Sequence, residues 1–230
     1  MGAYRGLLLF NEGYTASRGP DLVRPELSAE AIRLTRPMAA LMPGEPETMG
    51  LLALMLLQDS RRAARTDGTG APVPLAEQDR GRWNRAAIEE GLRILASIPG
   101  GEQPGPYQVQ AQLAACHARA TQPEDTDWAA IARLYAELAV LAPSPVVELN
   151  RAVAVGMADG PAAGLAIADD LAVSGQLAGY HLLPAVRADL LRRLDRPAEA
   201  AQAYRAAIDQ AGTEPERYYL KRRLAEITGP

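Results

Sequence analysis

Apolar positions recur along this chain with the period of a helix, and over Asp127–Ala211 one such pattern is written three times. Ile131, Tyr135 and Leu138 are spaced i, i+4, i+7; Gly164, Ala168 and Leu171 repeat that spacing, as do Ala200, Tyr204 and Ala207. The copies are offset by 33 and then 36 residues. The helices before the second and third copies correspond as well: Leu149-x-x-Ala152-x-x-Val155 lines up with Ala185-x-x-Ala188-x-x-Leu191, again 36 apart. Self-similarity at this period marks a helix–turn–helix solenoid, the tetratricopeptide (TPR) repeat being about 34 residues. Small residues (Ala152, Ala188, Ala200, Ala207) stand where paired helices must approach closely. One hairpin leaves an apolar face bare, so neighbouring hairpins must stack. The competing reading, an Ala-rich bundle with accidental register, does not explain why the whole hairpin recurs.

The rest of the chain reads as helices separated by Pro- and Gly-rich breaks. Tyr4–Phe10 is a short helix or the tail of a longer one, and Asn11–Pro25 is a loop. Pro25 suits a first turn, after which Leu27, Ala31, Leu34, Met38 and Leu41 form an apolar stripe that Pro37 bends without ending. Pro46 opens a helix whose Met49–Leu57 segment is apolar on all sides, the mark of a buried central helix. Asp67–Glu77 is a loop with a short extended piece at Val73–Leu75. Asp79 is expected to cap a helix carrying Trp83, Ala87, Ile88, Leu92 and Leu95 on one face. Tyr107–Ala120 is a further helix, Gln122–Thr126 a turn, and Glu214–Ile227 a helix that caps the array. The expected architecture is all-α. An N-terminal helical subdomain (1–121) packs on TPR-like antiparallel hairpins (122–230), an α-solenoid.

Composition narrows the function classes. The 230 residues suffice for one large domain or two small ones. A chain of this size buries roughly 70–75% of the surface it exposes unfolded, so it needs no staples. The net charge of −4 argues against broad binding to a phosphate backbone, which needs a basic surface. Nearly all positive charge is arginine, Lys221 being the sole lysine. One cysteine, Cys116, excludes an internal disulfide and fits a reducing compartment. The apolar run Leu7–Phe10 is too short for a signal core or a membrane span. The expected location is therefore cytoplasmic.

Catalytic constellations are scarce. Cys116 adjoins His117, but sequence neighbours on a helix point about 100° apart and form no nucleophile–base pair. Both read as packing residues. No metal-ligand spacing occurs, and Gly68-Thr69-Gly70 is a turn, not a phosphate cradle. No cofactor, no metal and no enzyme activity are expected. The acids Glu89-Glu90 and Asp169-Asp170 read as solvated helix surface. Arg61, Arg62, Arg65, Arg80, Arg82 and Arg85 flank one loop. They read either as a local basic face for a partner or as ordinary pairing with Asp59, Asp79 or Glu89. In TPR repeats that bind peptides, an asparagine two residues before the small helix-A residue holds the ligand backbone. Here Asn150 precedes Ala152, and an amide side chain carries both donors and an acceptor. Its third-copy counterpart is Val186; the competing role for Asn150 is a capping or inter-helix hydrogen bond.

Several stretches together resemble one family. They are Leu-Phe-Asn-Glu-Gly-Tyr-Thr (9–15), Leu-Leu-Ala-Leu-Met-Leu-Leu-x-Asp-x-Arg-x-x-Ala-Arg (51–65) and Gln-Asp-Arg-x-x-Trp (78–83). Gly-Pro-Tyr-Gln (105–108), Asp-Thr-Asp-Trp (125–128) and Pro-Ser-Pro-Val-Val-Glu-Leu-Asn-Arg-Ala-Val-Ala (143–154) complete the set. In this order, from about Tyr4 to Leu224, they resemble the TPR-containing C-terminal extension of a group of extracytoplasmic-function RNA polymerase sigma factors. The resemblance implies a regulatory tail that docks on the promoter-reading domains, regions two and four, on RNA polymerase, or on a partner such as a DGPF-type protein. Both DNA-reading domains are missing from this sequence, so the expectation is an excised tail or a free-standing regulator that does not itself bind DNA. The run of charge and Trp around the 61–83 loop points to a docking face near Arg62, Arg65, Arg82 and Trp83, with Asn150 and Arg151 on the repeats. Two rivals stand beside it: a TPR adaptor binding a peptide without any link to transcription, and a ligand-sensing or hydrolytic domain using a pocket between the subdomains.

Overall fold

The computed structural model describes residues 25–42, 44–68, 73–100 and 103–229. The expected helix at Tyr4–Phe10 and most of the Asn11–Pro25 loop lie outside them. Among the described residues the chain is all-helical, with ten α-helices and no strand beyond an isolated bridge at Thr66. It divides into two compact units between Asp127 and Trp128.

The first unit holds α1 (Pro25–Leu41), α2 (Pro46–Asp59), α3 (Arg85–Ser97) and α4 (Pro106–Arg119). Proline at the first helical position opens α2 and α4, where its missing N–H is no loss. The all-round apolar segment of α2 becomes the centre of the unit: Leu51 to Leu57 are buried without interruption, packed against α1, α3 and α4. The helix on α2's flank differs from its expected pattern. The α1 face that turns inward is Ser28, Ala31, Ile32 and Thr35, while Leu34 is 43% and Leu41 82% exposed. Thr35 enters the core because its hydroxyl donates to the Ala31 carbonyl one turn back (2.8 Å), so burial strands no donor. Two polar residues on the inward face hid that face from a hydrophobic pattern.

Asp79 does not cap a long helix. Its carboxylate accepts from Gly81 N (2.8 Å) over the short 3₁₀ turn Arg80–Arg82, and α3 starts only after Asn84, whose side chain accepts from Ala87 N (3.1 Å). Trp83 therefore sits between turn and helix, 3% exposed, in a core shared with Leu57, Ile88 and Ala115. Helix α4 is held at both ends. Glu47 of α2 accepts from the first-turn amides of Tyr107 (2.9 Å) and Gln108 (3.1 Å). At the other end the Arg80 guanidinium donates to the carbonyls of His117 (2.7 Å) and Ala120 (2.8 Å). An anion at a helix N-terminus and a cation at its C-terminus match the helix dipole and fill otherwise orphaned groups.

The second unit is a zigzag of α5 (Trp128–Leu141), α6 (Pro145–Ala158), α7 (Pro161–Ser174), α8 (Leu182–Arg193), α9 (Pro197–Gln210) and α10 (Glu214–Thr228), each packed on the next. Helix α6 also touches α8, so α6, α8 and α10 form one layer and α5, α7 and α9 the other. The repeated sequence positions are its core: Ile131 and Leu138, Gly164, Ala168 and Leu171, then Ala200, Tyr204 and Ala207 are all buried. Small residues let the backbones meet. A Cβ on Gly164 would collide with the Ala152 carbonyl and stand 2.7 Å from Gly156 Cα, so α6 and α7 cross there at backbone contact. The turn between them is made by Gly160 at φ 103°, and the array closes on α10, started by a Thr213/Glu216 capping box. Among the described residues no helix is long and apolar enough to cross a membrane.

Candidate functional site

Helix geometry places Val146, Asn150, Val153 and Met157 on one stripe of α6. The same stripe recurs 36 residues later on α8 as Leu182, Val186, Asp189 and Arg193. Between the two stripes and α10 lies a cleft of about 240 Å³, lined among others by Val153, Met157, Val186, Asp189, Arg193 and Tyr219. Met157 of the lining is 41% exposed, and further along the two stripes Val146 is 39% and Leu182 42% exposed. Arg193 forms a wall by spanning from α8 to α6, donating to the Gly156 carbonyl (2.9 Å) with its other terminal nitrogen 3.2 Å from Met157 Sδ. Asp189 is held by Arg192 (2.8 Å) and Arg223 (3.4 Å). Burial, and then the Asp189 carboxylate, push the Tyr204 phenol above its usual range.

Two expected contact residues belong to this layer. Asn150 is exposed at the N-terminal end of the α6 stripe. Arg151 lies one position round the helix, its Nε 2.7 Å from Glu148 Oε2 in an i,i+3 pair. The cleft residues themselves were missed. The signal that could find them is positional: the α6 stripe recurs on α8 after 36 residues whatever the residue types, a register helical repeats impose on surface as well as core.

The arginine-rich loop of the first unit sorts into different roles. Arg62 pairs with Asp59 on the preceding helix, and Arg65 is half-buried. Arg82 and Arg85 are exposed. Arg80 is 7% exposed and stacks over the Trp83 ring, 4.7 Å from its centroid, while its head group closes α4. Trp83, expected at a docking face, has its indole turned into the core, because the Arg80–Arg82 turn folds the chain back over α4. Burial lowers the Arg80 guanidinium below its usual range, with Arg61 adding to this and Asp125 opposing it.

This locus sets the ionisation of His117. Burial first, then the positive charges of Arg61 and Arg80, lower its pKa from 6.5 to about 4, so the folded chain holds it neutral. A depressed folded pKa gives stability that is complete above the unfolded value near 6.5 and is lost as pH falls toward 4. The loss attributable to His117 is about 2 kcal/mol between pH 7 and pH 5. Urea unfolding of the chain and its His117→Gln variant at both pH values should show a shallower pH dependence in the variant by that amount. Among the described residues no three His, Cys, Asp or Glu side chains gather as metal ligands would.

The fold defines a class: a two-layer stack of antiparallel helical hairpins, a TPR-like α-solenoid. Residues 7–98 match the model of a family of unknown function, DUF6596. Over 220 residues the chain is 48% identical to an uncharacterized protein of Rhizobium meliloti (strain 1021). That alignment covers 96% of this chain and 52% of the relative, so the chain spans about half the length of the curated relative it matches. Among solved structures it is similar to a thermophilic TPR protein of Thermus thermophilus, with a TM-score of 0.53 and 17% identity. That likeness covers 98% of this chain and 96% of the other, and concerns the fold alone.

Proposed function

We propose that this chain is the regulatory, protein-interaction tail of an extracytoplasmic-function sigma factor, one that works by docking on another polypeptide and not by catalysis. The observation that carries the interaction reading is the cleft of the repeat unit. It joins exposed apolar side chains to fixed charges on a rigid helical frame, the combination that interfaces use. The sigma-factor assignment rests on the ordered motifs from Tyr4 to Leu224. It is supported by the remaining half of the Rhizobium meliloti relative, which leaves room for two small promoter-reading domains. The docking targets are regions two and four, RNA polymerase, or a partner of the DGPF type, in the cytoplasm. Asn150 and Arg151 on the repeats, and separately Arg62, Arg65 and Arg82 on the first unit, are the polar contacts; Trp83, packed in that unit's core, anchors the turn that carries Arg82.

The test has two arms. Immunoblotting the source organism with an antibody to this domain should reveal a product larger than 24.5 kDa by about two small domains. In cells carrying a reporter for that sigma factor, replacing Val153 and Met157 by aspartate should change promoter output by about tenfold, the effect of losing an interface anchor, with helical CD unchanged. A band at 24.5 kDa would favour the free-standing TPR adaptor. Unaltered output in a chain that carries the upstream domains would sink the proposed role of the cleft.

A further inference from the structure

The two layers of the repeat unit carry opposite charge. Helices α6, α8 and α10, which bound the cleft, hold eight Arg or Lys against five Asp or Glu; α5, α7 and α9 hold two against five. This inner surplus of three stands in a chain whose net charge is −4. Around the cleft the bias is the same. Two acids, Asp189 and Glu226, are shared among three arginines, Arg192, Arg222 and Arg223, and Arg193 lines the cleft beside them. Arg222 lies over the Tyr219 ring at 5.5 Å, which carries its charge to the cleft's edge.

Size restricts the occupant further. Pockets that enclose drug-sized ligands run from about 300 to 1,000 Å³. At about 240 Å³ this cleft lies below that range, on the scale of a large side chain, and beyond it the α6 and α8 stripes expose Val146 and Leu182. We infer that the cleft takes an acidic polypeptide segment of a partner protein, seating one large apolar side chain between α6, α8 and α10 with flanking carboxylates opposite Arg193 and Arg222. This rests on the interaction reading of the cleft and adds the chemistry of what fills it.

A phage-displayed library of random dodecapeptides panned on the full chain tests it, with Val153→Asp and Arg222→Glu variants panned in parallel. Enriched peptides should be net negative with a Leu, Met, Phe or Trp at a fixed position. A synthetic copy, followed by fluorescence anisotropy, should bind about tenfold more weakly to either variant and should weaken as salt rises. Neutral or basic peptides that still depend on Val153 would overturn the acidic chemistry and leave the cleft as the interaction site. Peptides indifferent to Val153→Asp, or no enrichment at all, would overturn both.

Discussion

Replacing Gly164 by leucine should destabilise the repeat unit by about 3 kcal/mol or more, read as a lower urea midpoint at unchanged slope. At this position α7 meets α6 backbone to backbone. The first atom of any side chain would strike the Ala152 carbonyl and Gly156 Cα, neither of which is the yielding end of a flexible side chain. Gly164→Ala separates two opposed effects. Alanine favours the helix over glycine by about 1 kcal/mol, and overpacking costs about 1–3, so alanine should lose about 0–2 kcal/mol net, less than leucine. Gly175→Ala is the control. That residue has open space within 4 Å but φ 69°, so its cost of about 1 kcal/mol comes from backbone conformation and not from crowding. A Gly164→Leu chain as stable as the parent would mean that the two helices do not cross at this glycine.

Trp83→Ala should cost about 3–5 kcal/mol, the range for removing a buried large aromatic. The indole is packed among Leu57, Ile88 and Ala115, and its face carries the Arg80 guanidinium. Deleting it leaves a cavity and exposes one face of a buried cation that closes α4. Trp83→Phe keeps a ring under the guanidinium and should recover more than half of the loss. Equilibrium unfolding followed by CD distinguishes this from a surface role. An exposed docking anchor would leave stability within about 0.5 kcal/mol of the parent on truncation.

What could be read from the residues follows from how each position is chosen. In the repeats, Ala152, Ala168, Ala188 and Ala207 are small and wholly buried where successive helices pack, and that requirement recurs every hairpin, so spacing alone exposes the fold. The central helix was legible for a related reason: no polar side chain is tolerated from Leu51 to Leu57. The α1 face was not, since Thr35 satisfies its own hydroxyl and can be buried at no hydrogen-bonding loss. The role of Arg80 was illegible because its partners are carbonyls of α4 and of Ala120 just beyond it, 37 and 40 residues onward. Composition around a loop cannot tell an arginine that meets water from one that meets a helix end. The cleft stayed hidden because its residues are chemically mixed. Val153 aligns with Asp189 and Met157 with Arg193, so no residue type repeats even though the position does.

The two-ended hold on α4 has a dynamic consequence. A helix with free termini frays, its end turns opening at little cost while the middle persists. In α4 the amides of Tyr107 and Gln108 are released only if α2 carries Glu47 away, and the carbonyls of His117 and Ala120 only if Arg80 withdraws. Neither end can unzip alone. Fraying at the N-terminus of α4 is thereby tied to movement of α2, and fraying at its C-terminus to movement of the Arg80–Arg82 turn.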